Sequence, residues 1–518
     1  MQATAARGVF EPYVPKAYDT TLQLSLSDAI RIGLENNLDI KVSRLDDSQR
    51  NRDLVVAKSV FDPFFNLGAD YQKNRDPSVS FFDIGAGAAA QGVSISPSET
   101  ISYFTGVSGR WFSGATYDVR LGQVQRDRPV ASAAGFTFLN PVTTTDFSFS
   151  AKQPLLRGAW WDTNLAEVHI AQNNLALSRE QLELTLINTV FLIESAYWEV
   201  AFAGQNLEAK VKAYQLTLDN LENVRKKKAV GVLAAIDVTT AESQAAIRRV
   251  ELVDAIELRE TVRDRLLDII NYSGEHSLKA AWEAGEAKGA FHKIMVQCTT
   301  VPAATSLTPS RDRALAAAFD RRSEYRQLEL LLQNQDIRID VARNGILPAV
   351  DLTGRWTQLG LEQSWENSYE EFESGRYYDW EVGIQFSVPL SNRGPRSLLR
   401  NARDEQRKIR IEKTKLENQI VLEIDQNLRR IDFLERKVAD LDERVRLQQE
   451  LLQAERKKLD VGMSIVYTVS VIENDLVENV AEALRAKTSL QIARADLLRA
   501  MGTLLDRHNI VFSGGGTE

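Results

Sequence analysis

Between Arg396 and Gly462 the apolar residues Leu416, Ile420, Ile424, Leu428, Ile431, Leu434, Val438, Leu441, Val445, Leu452 and Leu459 recur at spacings of three, four and seven. Glu, Lys, Arg and Asp fill the positions between them, and no proline interrupts the run. Such spacing predicts one continuous helix with a coiled-coil seam. At 1.5 Å per residue, about 65 residues would extend roughly 98 Å, more than a compact domain can bury.

Elsewhere the period changes to two. Phe65, Leu67, Ala69 and Tyr71 alternate with Asn66, Gly68, Asp70 and Gln72, and Phe147, Phe149 and Ala151 alternate with Ser148, Ser150 and Lys152. Trp380, Val382, Ile384, Phe386 and Val388 alternate with Glu381, Gly383, Gln385 and Ser387. These are strands with one apolar face. Ser113-Gly114 marks an extra hairpin, with strands near 105–112 and 116–124, after a Gly/Ala/Ser-rich segment.

In chain order, residues 1–23 read as an irregular arm with Pro12 and Pro15. The first repeat, 24–274, holds a short helix capped by Ser27 or Asp28 and a helix from about 39 to 60 stopped by Pro63. After its strands come a long helix from about 163 to 228, capped by Asp162 or Asn164 and ended at Gly231, and a helix over 236–272 stopped at Gly274. Residues 275–308 form a linker, 309–505 a second repeat, and 506–518 a tail. Ala29 to Pro63 and Ala314 to Pro348 share one offset of 285 (314 − 29 and 348 − 63), and Tyr71 falls on Trp356 by the same offset. The second repeat adds helices over 321–344 and 466–502, and their summed length nearly matches its long helix. Two short helices would then run end to end beside one long one.

Composition narrows the function. Lys+Arg 63 against Asp+Glu 71 gives a net charge of -8, which disfavours a nucleic-acid partner. The one cysteine, Cys298, and the scattered His169, His276, His292 and His508 make neither a disulfide framework nor a metal site nor a catalytic grouping, so no cofactor or metal is expected. No run of 18 apolar residues predicts a transmembrane helix. The opening Met-Gln-Ala-Thr-Ala-Ala lacks the basic and apolar regions of a signal peptide, which leaves a cytosolic chain or a processed form.

Four strands outside the hairpin cannot close a barrel, and open edges cannot exist in hydrocarbon. If the strands meet a membrane, several chains must share one barrel.

On these features the chain resembles the TolC family of bacterial outer-membrane efflux proteins, over residues 24–505. The resemblance is carried by Leu24-Ser-Leu-Ser-Asp-Ala-Ile with Glu35-Asn36-Asn37, and by the paired Pro63 and Pro348. Gln153-Pro154-Leu155-Leu156 with Val388-Pro389-Leu390, and the turns at Gly231 and Gly462, complete it. It implies a mainly α chain with a membrane β-barrel: a homotrimer whose twelve strands, four per chain, join a long helical periplasmic tunnel. It further implies an exit duct of a tripartite efflux or type I secretion system, docking to a periplasmic adaptor and an inner-membrane RND or ABC transporter, with outer-membrane lipid around the barrel. A structural coiled-coil protein would explain the helices and not the strands; an enzyme would need a nucleophile, base and orienter grouping that is not evident.

The helix turns are the expected gate. Asp237 stands six residues after Gly231, as in the family; the same offset from Gly462 lands on Thr468, with Val471 three further on. Asp475, seven beyond Thr468, would lie on the same helix face and could restore an acidic ring by threefold symmetry. Asp237 is expected to hold the gate shut through a bond to a neighbouring turn. Glu242 and Glu473, each eleven residues after its glycine, suggest inter-helix pairing, and Lys226-Lys227-Lys228 neutralises a helix C-terminus. Phe147, Trp356, Trp380 and Ile384 are expected to face lipid, and the acidic run Glu362 to Glu373 to form a solvated outer loop.

Overall fold

The two repeats contain helices of matching length. The first has α1 (Leu26–Asn36), α2 (Leu38–Ser59), α3 (Trp161–Asn164), α4 (Ala166–Ala229) and α5 (Ala235–Ile269). The second has α6 (Arg311–Arg321), α7 (Ser323–Asn344), α8 (Trp365–Glu373), α9 (Arg393–Asp460), α10 (Val466–Ala500) and α11 (Leu504–Arg507). The pairs α2 and α7 have 22 residues each, α5 and α10 have 35 each, and α4 and α9 have 64 and 68. The computed structural model describes residues 13, 20–78, 94–127, 139–272, 294–300, 308–461 and 463–510. Pro12, Pro15, Gly274, Gly462, the Gly/Ala/Ser-rich segment, most of the linker and the end of the tail lie outside the described residues.

The chain divides into two compact units. One comprises Met1–Ser48, Leu177–Leu328 and Glu412–Glu518. Its largest core packs Ala29 and Ile30 of α1 against Leu186, Val190, Ile193 and Tyr197 of α4, with Leu266 of α5 and Leu504 of α11. A second core joins Ala314 and Ala318 of α6 to Ile420, Ile424 and Ile431 of α9 and Leu490, Ala493 and Leu497 of α10. Ile420, Ile424, Ile431 and Leu434 of the predicted seam are all buried there. α4 also holds a window long and apolar enough to cross a membrane by composition, and 67% of it is buried inside the protein, as in a core helix.

Three local expectations change. The cap of α1 is Ser25, whose Oγ accepts from the backbone N–H of Asp28 at 3.1 Å. Neither Asp162 nor Asn164 caps the long helix: both fall in α3, and the Asn164 amide instead donates to the carbonyls of Gly158 and Trp160. The arm and the linker are not wholly irregular, since β1 (Thr20–Leu24) and β6 (Ile294–Cys298) pair in parallel. That pair lies over α4, where the Tyr197 hydroxyl donates to the Leu24 carbonyl and accepts from the Thr300 N–H.

The other unit comprises Gln49–Ala176 and Glu329–Ile411. Its centre is an antiparallel sheet of β2 (Phe64–Ser78), β3 (Ser94–Arg110), β4 (Thr116–Asp127), β5 (Val142–Pro154), β7 (Ala349–Glu362) and β8 (Tyr377–Ser387), paired in that order. The four expected strands are present. The hairpin, whose place the sequence left open, is inserted in the same sheet between β2 and β5 and brings it to six strands. Its turn needs glycine: Gly114 has φ +87°, and a Cβ there would stand 2.4 Å from the Gly158 carbonyl. The acidic run is not a loop either. It folds as α8, capped by Ser364, whose Oγ accepts from the Asn367 N–H at 3.2 Å.

Helix turns and a two-faced sheet as candidate functional sites

Both helix turns close in the same way. The N–H of Val230 donates to the Lys226 carbonyl and that of Val232 to Lys227; in the second repeat Val461 and Met463 donate to Lys457 and Lys458. Gly231 supplies the left-handed residue, with φ +81°. Leu221, Val224, Val238, Ala241 and Ala245 then pack α4 against α5, while Leu441, Ala483 and Ala486 pack α9 against α10.

An ion pair ties each turn across its two helices. Arg225 of α4 meets Glu242 of α5 at 2.7 Å, and Arg456 of α9 meets Glu473 of α10 at 2.6 Å. The offset is 231 for both members (456 − 225 and 473 − 242). The suggested role of Glu242 and Glu473 is thus observed, with the arginines as the partners that the sequence reading missed. In the second turn Glu455 also accepts from Ser464 Oγ at 2.5 Å and Lys458 Nζ at 2.9 Å. The serine bond first, then the lysine, hold its carboxyl below the usual carboxylate value.

Asp237 and Thr468 occupy the same position, third in α5 and α10. Asp237 Oδ2 accepts from the Ala234 N–H at 2.9 Å, so within one chain this carboxylate caps its own helix. Around α10, successive residues point to different neighbours. Glu473 reaches α9, Asn474 accepts from Arg248 of α5 and donates to Gln244 at 3.3 Å, and Asp475 is exposed. Thr468, Val471 and Asp475 share that outward side at helical spacing. Arg248 is only 4% exposed and pairs with Glu251 at 2.6 Å, while Lys210 of α4 reaches the same carboxylate oxygen at 2.8 Å. Lys210, Glu251, Arg248, Asn474 and Gln244 therefore form one polar chain from the first repeat's helix pair to the second's. Lys226 pairs with Glu222 on the exposed surface at 2.7 Å.

The register of the sheet gives it two chemically distinct faces. Trp380 lies opposite Trp356, Trp356 opposite Phe149, and Ile384 opposite Leu352. Phe147 shares that side, its ring edge-on to Trp356 with centroids 5.7 Å apart. All four residues expected to face lipid thus fall on one face. Trp380 and Ile384 are 70% and 71% exposed in the single chain, so this edge of the apolar face is open among the described residues. The opposite face carries Asp70, Arg120, Ser148, Lys152, Arg355 and Glu381.

Cys298 is not a reactive group. Its Sγ lies 3.7 Å from the Tyr197 carbonyl, and burial pushes its thiol up to about 12. The neutral thiol therefore persists up to that pH. At pH 8 maleimide should label the folded protein about a thousandfold more slowly than a free thiol, and unfolding in urea should restore ordinary labelling. Rapid labelling of the native protein would contradict the raised thiol value.

Residues 314–503 match the Outer membrane efflux protein family. No curated protein sequence is matched. Among solved structures, the chain is similar to the Campylobacter jejuni CmeC outer membrane channel (13% identity, 92% of this chain and 86% of that one, TM-score 0.64). It is similar also to the Vibrio cholerae outer membrane protein VceC (14%, 92% and 96%, TM-score 0.63) and to the Neisseria gonorrhoeae MtrE outer membrane channel in its open state (15%, 92% and 89%, TM-score 0.63). At such identities the likeness is one of fold, and it spans both repeats. Residues of the second repeat thus match the Outer membrane efflux protein family, and the fold of these outer membrane channels extends over 92% of the chain.

Proposed function

We propose that three copies of this chain form the exit duct of a tripartite efflux or type I secretion system. The duct passively conducts substrates from an inner-membrane RND or ABC transporter, through a periplasmic adaptor, across the outer membrane. The observation that carries this reading is the sheet: one face is apolar and exposed along both edge strands, the other is polar, and the outer edges of β2 and β8 are unpaired among the described residues. A sheet of that kind is stable in lipid only when several copies close it. Phe147, Trp356, Trp380 and Ile384 then face lipid, and the polar face lines water.

The turns at Gly231 and Gly462 form the periplasmic gate. Asp237 stabilises the first turn as a helix cap and bonds a neighbouring turn in the closed assembly. Thr468 takes the equivalent position in the second turn. Asp475 faces the lumen, where a threefold ring of carboxylates focuses field and draws cations.

Planar-bilayer recording tests the reading. The purified protein should conduct in discrete steps without any energy source. Asp237→Ala should raise the conductance, and Asp475→Ala should weaken cation selectivity and block by divalent ions. A protein that never conducts, with the gate variants included, would refute the duct. Unchanged selectivity in Asp475→Ala would leave that residue an ordinary surface charge.

A further inference from the structure

The hairpin that distinguishes the first repeat from the second is built as wall. Its strands continue both faces of the sheet without a break. On the apolar side Ile101, Tyr103, Thr105 and Val107 of β3 oppose Tyr71, Ala69, Leu67 and Phe65 of β2. Val119 and Leu121 of β4 oppose Phe149 and Phe147 of β5. On the polar side Ser102 follows Asp70, and Arg120 precedes Ser148.

Both ends of the hairpin are tied into the sheet. At its turn, Ser113 Oγ donates to Gln153 of β5 at 2.9 Å, and Arg110 bonds Asn164. At the other end α8 crosses three strands. Trp365 stacks on Tyr103 of β3 with centroids 4.8 Å apart, Gln123 of β4 donates to the Trp365 carbonyl at 3.3 Å, and Thr145 of β5 bonds Ser368 at 2.7 Å. Gly360 permits this approach, since a Cβ there would lie 2.1 Å from the Ser368 carbonyl. A hairpin hanging free of the wall would make none of these contacts.

Six strands also close correctly by symmetry. With an even number of antiparallel strands, edge strand β8 of one copy runs antiparallel to edge strand β2 of the next. The two edges carry their apolar residues on the same face: Phe65 and Leu67 on β2 are 71% and 77% exposed, as Trp380 and Ile384 are on β8.

We infer that β8 of each copy pairs with β2 of the next, and that the assembly closes an eighteen-stranded barrel with β3–β4 as part of its wall. The inference rests on the trimeric reading above. With strands about 4.8 Å apart and tilted about 40°, eighteen strands enclose a backbone cylinder of about 18 Å radius, against about 12 Å for twelve. That places the barrel among the wide, water-filled ones, so the helical tunnel and not the barrel sets the size limit for whatever passes.

Electron cryomicroscopy of the purified protein in lipid nanodiscs counts the strands directly. Site-directed labels supply a second readout on single-cysteine variants that also carry Cys298→Ser. A fluorophore on Thr105→Cys should be quenched by brominated acyl chains, and one on Ser102→Cys by iodide in the water. A trimer with eighteen wall strands and this split in quenching is the expected result. A trimer with twelve wall strands, or with both hairpin labels quenched only by iodide, overturns the inference and leaves the duct intact. A particle with one or two copies overturns the trimeric reading, and the inference with it.

Discussion

Ile384→Arg is expected to destabilise the closed barrel by about 2–4 kcal/mol per chain, the cost of an arginine on the lipid face near the bilayer midplane. Ile384 sits on β8 opposite Leu352, amid Trp380, Val382 and Phe386 on the same side. An arginine there must either thin the bilayer or drag its head group towards water. Its neighbour is the internal control. Gln385 points to the polar face opposite Asp351, and Gln385→Arg should leave stability within measurement error. Urea unfolding in lipid vesicles, followed by tryptophan fluorescence, reads both. Equal losses at the two positions would mean that the faces are assigned the wrong way or that neither meets lipid.

Arg248→Ala should loosen the helix turns more than any single substitution at the exposed turn residues. The guanidinium is buried, bonds Asn474 on α10, and meets a carboxylate that Lys210 also holds. Truncation removes the charged link between the repeats, leaving the Asn474–Gln244 bond, and leaves Asn474 short of a donor. Removal of such a bond to a charged group costs about 1–3 kcal/mol, with Lys210 sparing Glu251 from isolation. The expected readouts are a lower unfolding midpoint for the tunnel helices and a larger conductance in planar bilayers than Asp237→Ala produces. Arg248→Lys, which keeps the charge and one donor, should recover part of each. If Arg248→Ala behaves like the native protein in both, the polar chain is not a constraint on the gate.

The long helices were legible because their signal is redundant. Ile420, Ile424 and Ile431 sit at the predicted spacing and are buried, and each further turn repeats the same information. The alternating strands were legible for the same reason, and the faces read from Trp380 or Phe147 alone hold across all six strands. What failed was local. A cap depends on one backbone torsion, so Ser25 against Ser27 could not be decided from residue type. α8 hides among five glutamates because its stability comes from Ser368 and Trp365 against the sheet, a contact that no helical period announces. The place of the hairpin was open for a related reason: its alternation showed that it forms strands, but only pairing shows to which sheet they belong. At the turns, Glu242 and Glu473 stood out by duplication, and applying the offset of 231 to basic residues would have found Arg225 and Arg456 as well. Arg248 had no such signal. It has the composition of a surface residue and is buried by helices far from it in sequence.

The central claim is that the chain works only as three copies closed in a membrane, and particle mass tests it most directly. Extracted in mild detergent and weighed by light scattering corrected for bound detergent, the protein should have a mass of about 174 kDa, three times 58.1 kDa. It should precipitate when detergent is removed without lipid. A particle of one or two chains that stays soluble without detergent would contradict the account.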